Sequence, residues 1–331
     1  MERILPATDE NIKKGAEILK GGGLVAFPTE TVYGLGANAF LSQAVARVFE
    51  VKGRPRFDPL IVHISHRQMV FHLFREVPSV AEVLMEKFWP GPLTLVLPKK
   101  EEVPDIVTAG LSTVAVRMPD HPVALKLIEW TGAPVAAPSA NRFGHLSPTR
   151  AQEVALDLGE GVDLILDGGK TKIGVESTVI MIEEEKIFLL RPGGVSVEEI
   201  EKWVGKIETT LSSPEILSPG TLKKHYAPRI PLYLFEGDVE ELLLCDLSGI
   251  AIVSPFPIAH SREEVKVLSE KGDIREVASN LFSVLRELEE SHFRAIISLT
   301  VEEKGLGRAI MDRLKRASSG YVKVREGKLV L

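Results

Sequence analysis

Cysteine is almost absent from this 331-residue chain, where Cys245 stands alone. One thiol excludes an internal disulfide and any cysteine-based zinc cluster, and it suits a reducing compartment. Within Glu-Leu-Leu-Leu-Cys-Asp it reads as a small buried hydrophobe. No run approaches the ~18 apolar residues of a membrane span. Met1 to Pro6 lacks the basic-then-apolar order of a secretion signal. The expected location is the cytoplasm. Asn and Gln are scarce, at four and three residues, a composition that leans toward heat-adapted proteins. Excess positive charge is also missing. The net charge of −6 argues against a general coat for nucleic acid or membrane surfaces, so any polyanion site must be local.

Familiar catalytic signatures are missing as well. Gly168-Gly169-Lys170-Thr171 ends like a phosphate loop, but the Walker pattern needs glycine where Leu164 stands. Gly34-Leu35-Gly36 lacks the third glycine of a dinucleotide fingerprint and reads as a tight turn. His63 and His66 are spaced like a metal pair, with no thiol or carboxylate cluster beside them to complete a site. No Gly-x-Ser-x-Gly elbow and no Ser-His-Asp order is found. The expected metal set of the protein itself is therefore none.

What is present is a soluble, core-forming composition, 44% hydrophobic and 26% charged, long enough for two domains. Asp9 is placed to cap a helix with Ile12, Ala16 and Leu19 on one face, stopped by Gly21-Gly22-Gly23. Ser42 is placed to cap a second helix ending near Val51. Strands are expected at 24–27, 60–64, 93–97 and 113–117, and helices at 79–88, 122–130 and 149–158. The alternation predicts one α/β domain with a mixed sheet over residues 1–206. Periodicity fades over 207–230, a linker rich in Ser, Pro, Thr and Gly. A smaller α/β domain over 231–331 follows, with strands at 231–235, 249–253 and 295–299 and helices at 273–290 and 306–317.

The densest chemical signal is Lys52-Gly53-Arg54-Pro55-Arg56, three cations within five residues of an acidic chain. Pro55 stiffens the segment and Asp58-Pro59 leads into a strand, so the charges are pinned rather than solvated at random. Ser139-Ala140-Asn141 offers hydroxyl and amide groups of the kind that orient phosphate or carboxylate oxygens. Cations, hydroxyls and turns without an activated nucleophile fit phosphoryl or nucleotidyl transfer. That chemistry needs positioning and electrostatic stabilisation, with magnesium assisting.

Pro28-Thr29-Glu30-Thr31-Val32-Tyr33-Gly34-Leu35, Lys52-x-Arg54-Pro55, Pro59-Leu60-Ile61-Val62-His63, Pro90-Gly91-Pro92-Leu93-Thr94, Val116-Arg117-x-Pro119 and Pro138-Ser139-Ala140-Asn141 resemble the YrdC-domain family. So do Glu176-Ser177-Thr178-Val179 and Arg191-Pro192-Gly193. The linker motif from Ser218 to Pro228, with His225-Tyr226, and the closing Gly307 to Leu314 resemble its long, two-domain form. The resemblance implies a YrdC-like twisted mixed sheet with helices and a smaller C-terminal Rossmann-like α/β domain. It implies joining L-threonine, bicarbonate or carbon dioxide, and ATP with magnesium into L-threonylcarbamoyl-adenylate. A partner transferase would then pass the group to an adenosine of tRNA.

Carried over by position, the resemblance places Lys52 and Arg54 as catalytic cations. The L-threonine site would use Thr31, His63, Arg117, the Ala137 backbone and Ser177. The ATP site would use Lys52, Arg54, Asp58, Thr113, Ser139, Asn141, Ser147, Arg191 and Tyr226, with the linker as a lid. Asp58 departs from the Asn common in the family, and Thr221 from a commoner Met. The competing reading is a non-catalytic RNA-binding or ribosome-maturation factor, against which the acidic net charge weighs. A hydrogenase-maturation carbamoyl transferase is disfavoured by the single cysteine.

Overall fold

The computed structural model describes residues 3–184, 186–208, 225–258 and 264–330. They form two compact units. One runs to Phe143 and resumes at Ser147; the other holds Gly144–Leu146 and the described residues from His225 onward. Residues 209–224, which contain most of the expected linker and Thr221, lie outside the described residues.

The first unit follows the order β1 (Ile4–Pro6), α1 (Asp9–Lys20), β2 (Val25–Phe27), β3 (Gly34–Asn38), α2 (Ser42–Lys52), β4 (Ile61–His63), α3 (Ser79–Phe88), β5 (Leu93–Pro98) and α4 (Asp105–Thr108). It continues with β6 (Thr113–Arg117), α5 (Pro122–Thr131), β7 (Val135–Ala136), α6 (Ala151–Leu158), β8 (Leu164–Asp167), β9 (Thr178–Glu183), β10 (Lys186–Arg191) and α7 (Val197–Val204). Its strands form one mixed sheet in the order β1-β8-β2-β3-β7-β4-β6-β5-β9-β10.

The central strands bury both faces. Val62, Val114, Val116, Leu93, Leu95, Leu97, Ile180 and Ile182 point into the main core. Their alternates Ile61, Val96, Ala115, Val179 and Met181 make a separate apolar patch on the opposite face. This double burial explains why these segments read as continuous apolar runs. It also supplies a dry floor, and the polar side chains described below stand on the same face.

Two helix starts differ from the sequence reading. Thr8, not Asp9, is the N-cap of α1, accepting from the Asn11 N–H at 3.3 Å, while Asp9 opens the first turn and favours the helix dipole. Leu41 precedes α2 without a side-chain cap, so Ser42 is inside the helix. The helix also runs one residue further than expected. Lys52 is in its last turn, and Gly53 stops it at φ 62°. Lys52 is thus held on a helix end rather than in the loop that carries Arg54.

The second unit follows β11 (Leu232–Phe235), α8 (Val239–Leu244), β12 (Ile250–Ser254), β13 (Val265–Val267), α9 (Ile274–Glu289), β14 (Ala295–Ser298), α10 (Leu306–Ala317), β15 (Gly320–Arg325) and β16 (Lys328–Val330). The sheet order is β13-β12-β14-β11-β15-β16, parallel except for the terminal β15–β16 pair. This is the Rossmann-like layout expected from the sequence. Cys245 is buried, as its apolar neighbours require.

Gly193 shows how tightly the first unit is closed. A Cβ there would lie 2.2 Å from the Ser177 carbonyl carbon and 2.3 Å from Glu176 O and Thr178 N. Backbone, not a flexible side chain, would have to move. Gly193→Ala is expected to destabilise the protein by about 2–3 kcal/mol, read from the urea midpoint. A change below about 0.5 kcal/mol would contradict this close approach.

Candidate active site

β4 and β6 run parallel, pairing Ile61 with Ala115 and His63 with Arg117. Carried two residues back, the same register brings Pro59 beside Thr113. Strand periodicity then sets Thr113, Ala115 and Arg117 on one face, with Ile61 and His63 alongside. His63 and Arg117 stand at the C-terminal ends of these two strands, and Asp58, Pro59 and Thr113 at their N-terminal ends. Four residues of strand separate Thr113 from Arg117, roughly 13 Å.

At the first end, Arg117 is buried at 4% exposure. Its Nε donates to Gly91 O at 3.3 Å and its Nη1 to Thr31 Oγ1 at 3.0 Å. Nη2 lies 2.6 Å from Glu30 Oε2, an ion pair whose atoms are not aligned as a hydrogen bond. Thr31 Oγ1 also meets Thr29 Oγ1 at 2.8 Å, fixing the turn between β2 and β3. His63 is buried, and burial, with the Arg117 charge second, pulls its imidazole down to about 3. It is neutral at physiological pH, with Nδ1 unpartnered. The Ala137 N–H is committed to Ile61 O at 2.9 Å, so a substrate contact there falls to its carbonyl.

At the other end, Arg54 donates through Nε to Asp58 O at 3.2 Å and through Nη2 to Pro59 O at 2.9 Å. Its Nη2 is also 2.9 Å from Asp58 Oδ2, both side chains being almost fully buried. Burial pushes the Asp58 carboxyl up, while Arg54, Lys52 and Arg191 pull it down. The carboxylate that replaces the family's Asn is therefore matched by a cation of the protein. Lys52 Nζ donates to Ser139 O and Asn141 O, each at 2.5 Å. Burial, reinforced by Arg54, draws its ammonium well below the ordinary lysine range. Main-chain carbonyls thus tie the Ser139–Asn141 segment to Lys52. Arg56, the third cation of the run, is exposed.

Ser177 lies at the Arg117 end, beside Thr94 and Arg191, which both pair with Val179. Its Oγ is 2.7 Å from Thr94 Oγ1, and it accepts from Arg191 Nη2 through O at 2.9 Å and through Oγ at 3.2 Å. Ser147 Oγ donates to Glu176 Oε1 at 2.5 Å. Tyr226 belongs to the second unit, where it adopts φ 60° and stacks on Phe282 at 5.8 Å. The Arg313 guanidinium lies 5.0 Å from its ring centre.

Three participants were not singled out from the sequence: Glu30, Thr94 and Glu176. Each stands inside a motif quoted above, but a carboxylate is the side chain least expected where anions bind. The signal available was the run Thr29-Glu30-Thr31 directly after an apolar strand, where a buried Glu demands a cation. Chemically, the first end can clamp an amino-acid carboxylate on a guanidinium. The second concentrates positive charge where phosphates would otherwise repel an incoming anion.

A family model described as Telomere recombination, of the Sua5/YciO/YrdC set, matches residues 17–193. One described as Threonylcarbamoyl-AMP synthase, C-terminal domain, matches residues 195–319. The threonylcarbamoyl-AMP synthase of Pyrococcus abyssi is 46% identical over 325 residues, covering 94% of both chains. That of Bacillus subtilis is 43% identical over 331 residues, covering 96% of both. The crystal structure of P. abyssi Sua5 complexed with L-threonine has TM-score 0.89 at 45% identity, covering 97% of this chain and 98% of that one. E. coli YciO has TM-score 0.51 at 26% identity, covering 56% of this chain and 90% of its own.

The buried neutral His63 has a consequence for stability. Above its ordinary value of 6.5 it is neutral whether folded or unfolded, and contributes no pH dependence. As pH falls below that, the unfolded chain gains a proton that the fold excludes until about 3. Stability then drops by about 1.4 kcal/mol per pH unit from this group. The difference in urea stability between wild type and His63→Asn should therefore change with that slope between about pH 6 and pH 4. Parallel curves would contradict a neutral buried imidazole.

Proposed function

The chain belongs to the Sua5/YciO/YrdC family in its two-domain form, and from that premise we propose how it carries out the family chemistry. It is a transferase that forms threonylcarbamoyl-AMP and pyrophosphate from L-threonine, bicarbonate or carbon dioxide, and ATP. Magnesium enters as part of the substrate MgATP. The product's threonylcarbamoyl group is consumed by a tRNA-modifying transferase that acts on an adenosine. No described helix is long and apolar enough to cross a membrane, and a product consumed in tRNA modification fits the cytoplasm.

The observation that carries this reading is the placement of Arg117 at one end of a sheet face and of Lys52 and Arg54 around Ser139 and the Asp58–Pro59 corner at the other. Arg191 is held by Ser177 level with Arg117, while its charge acts on Asp58. L-threonine lies with its carboxylate on Arg117, which uses two of its five N–H donors in hydrogen bonds within the protein. Thr31, His63, Ala137 and Ser177 surround it. The threonine ammonium gives up a proton and the free amine adds to carbon dioxide, forming an N–C bond and releasing a second proton to leave a carbamate (from bicarbonate, that proton leaves with hydroxide as water). A carbamate oxygen then attacks the α-phosphorus, an O–P bond forms, and the bond to the β-phosphate oxygen breaks as pyrophosphate leaves. Both partners are anions, and Lys52, Arg54 and Arg191 offset their repulsion. Asp58, Thr113, Ser139, Asn141 and Ser147 complete the nucleotide end.

A non-catalytic RNA-binding role is not favoured. Lys52, Arg54 and Arg191 are 2%, 7% and 3% exposed, which suits a small anion in a pocket rather than a broad phosphate footprint.

Pyrophosphate release from MgATP should require both L-threonine and bicarbonate. Release with threonine alone in degassed buffer would instead indicate an aminoacyl-adenylate, and no release would support the RNA-binding reading. Arg117→Lys keeps the charge but loses the planar fork. It should raise the KM for threonine roughly tenfold and change that for ATP less than about threefold. Equal effects on both substrates would move Arg117 out of the amino-acid site.

A further inference from the structure

Glu30 is 3% exposed, yet neither of its carboxylate oxygens has a hydrogen-bond partner. A buried carboxylate ordinarily collects several donors, because an unmade bond to a charged group is costly. Arg117 Nη2 is close enough, at 2.6 Å, to compensate the charge, but it too lacks an aligned partner. A carboxylate and a guanidinium nitrogen are thus held side by side, matched in charge but each without an aligned hydrogen-bond partner. Thr31, which follows Glu30 directly, is tied to Arg117 at 3.0 Å and to Thr29 at 2.8 Å, so the turn carrying Glu30 is fixed.

Opposite charges fixed this way match the two charges of a free amino acid. We infer that Glu30 binds the α-ammonium group of L-threonine while Arg117 binds its carboxylate, the pair forming a zwitterion receptor. This role rests on L-threonine being the substrate. The ammonium supplies the donors that the Glu30 oxygens lack, and the carboxylate supplies the acceptors that Arg117 Nη2 lacks. The same contact explains why a carboxylate sits in a site otherwise built for anions. Compounds carrying the carboxylate without the amine bind more weakly, because they bring no ammonium donors to the Glu30 oxygens.

The test is a cycle between protein and ligand charges, read by isothermal titration with the full chain. The ligands are L-threonine and its 2-hydroxy analogue, in which a hydroxyl replaces the amine. Wild type should bind the analogue roughly ten- to hundredfold more weakly. Glu30→Gln should weaken threonine binding by about that factor and analogue binding by less than about threefold. Equal losses for both ligands would make Glu30 merely structural and overturn the inference. Should Glu30→Gln not fold, the wild-type comparison decides alone, since equal binding of the two ligands also overturns it. A wild-type protein that binds no L-threonine would instead defeat the functional reading.

Discussion

The structure depends on keeping several side-chain cations buried on one face of a sheet without leaving them uncompensated. Arg117, Arg54, Arg191 and Lys52 are each under a tenth exposed, and an isolated buried charge costs several kcal/mol. Compensation comes from two carboxylates, Glu30 and Asp58, and from main-chain carbonyls of Gly91, Asp58, Pro59, Ser139, Asn141 and Ser177. Those carbonyls belong to loops that must stay in place for the cations to remain charged. The proline- and glycine-rich turns between the strands are the scaffold of the electrostatics.

The sheet converts this constraint into a reaction geometry. The parallel pairing of β4 with β6 puts His63 and Arg117 at one end and the Asp58–Pro59 corner near Thr113 at the other. Ile61, Ala115, Val96, Val179 and Met181 form the apolar floor between. A low-dielectric floor strengthens every charge interaction above it. Arg191, held by Ser177 at the Arg117 end, carries a charge that also acts on Asp58 at the other. An amino acid held at one end and a nucleotide at the other meet over that floor.

Much of this was legible in the sequence where local chemistry punctuates it. β6 over 113–117, α3 over 79–88 and α10 over 306–317 have the bounds expected from apolar pattern and flanking breakers. The caps were less legible, because Thr8 can cap as well as Asp9, and because α2 starts behind Leu41, which has no capping side chain, so that only backbone angles set these starts. Lys52 read as a loop residue because Gly53, whose left-handed conformation ends the helix, gives no sign of which preceding residue is last. Glu30 was not legible as a partner of Arg117, since 87 positions separate them and only the sheet brings them together. Double-sided burial of the central strands was hidden for the same reason: a continuous apolar run does not tell which alternate faces which layer.

The most direct measurement is carbon tracing through the product. The protein is mixed with MgATP, L-threonine and 13C-bicarbonate, and the adenylate is examined by carbon NMR and mass spectrometry. The expected result is one labelled carbonyl carbon per adenylate, bonded to the threonine nitrogen and to the α-phosphate oxygen. An adenylate without label, formed through the threonine carboxylate itself, would contradict the central claim that Arg117 holds that carboxylate away from the reacting phosphorus.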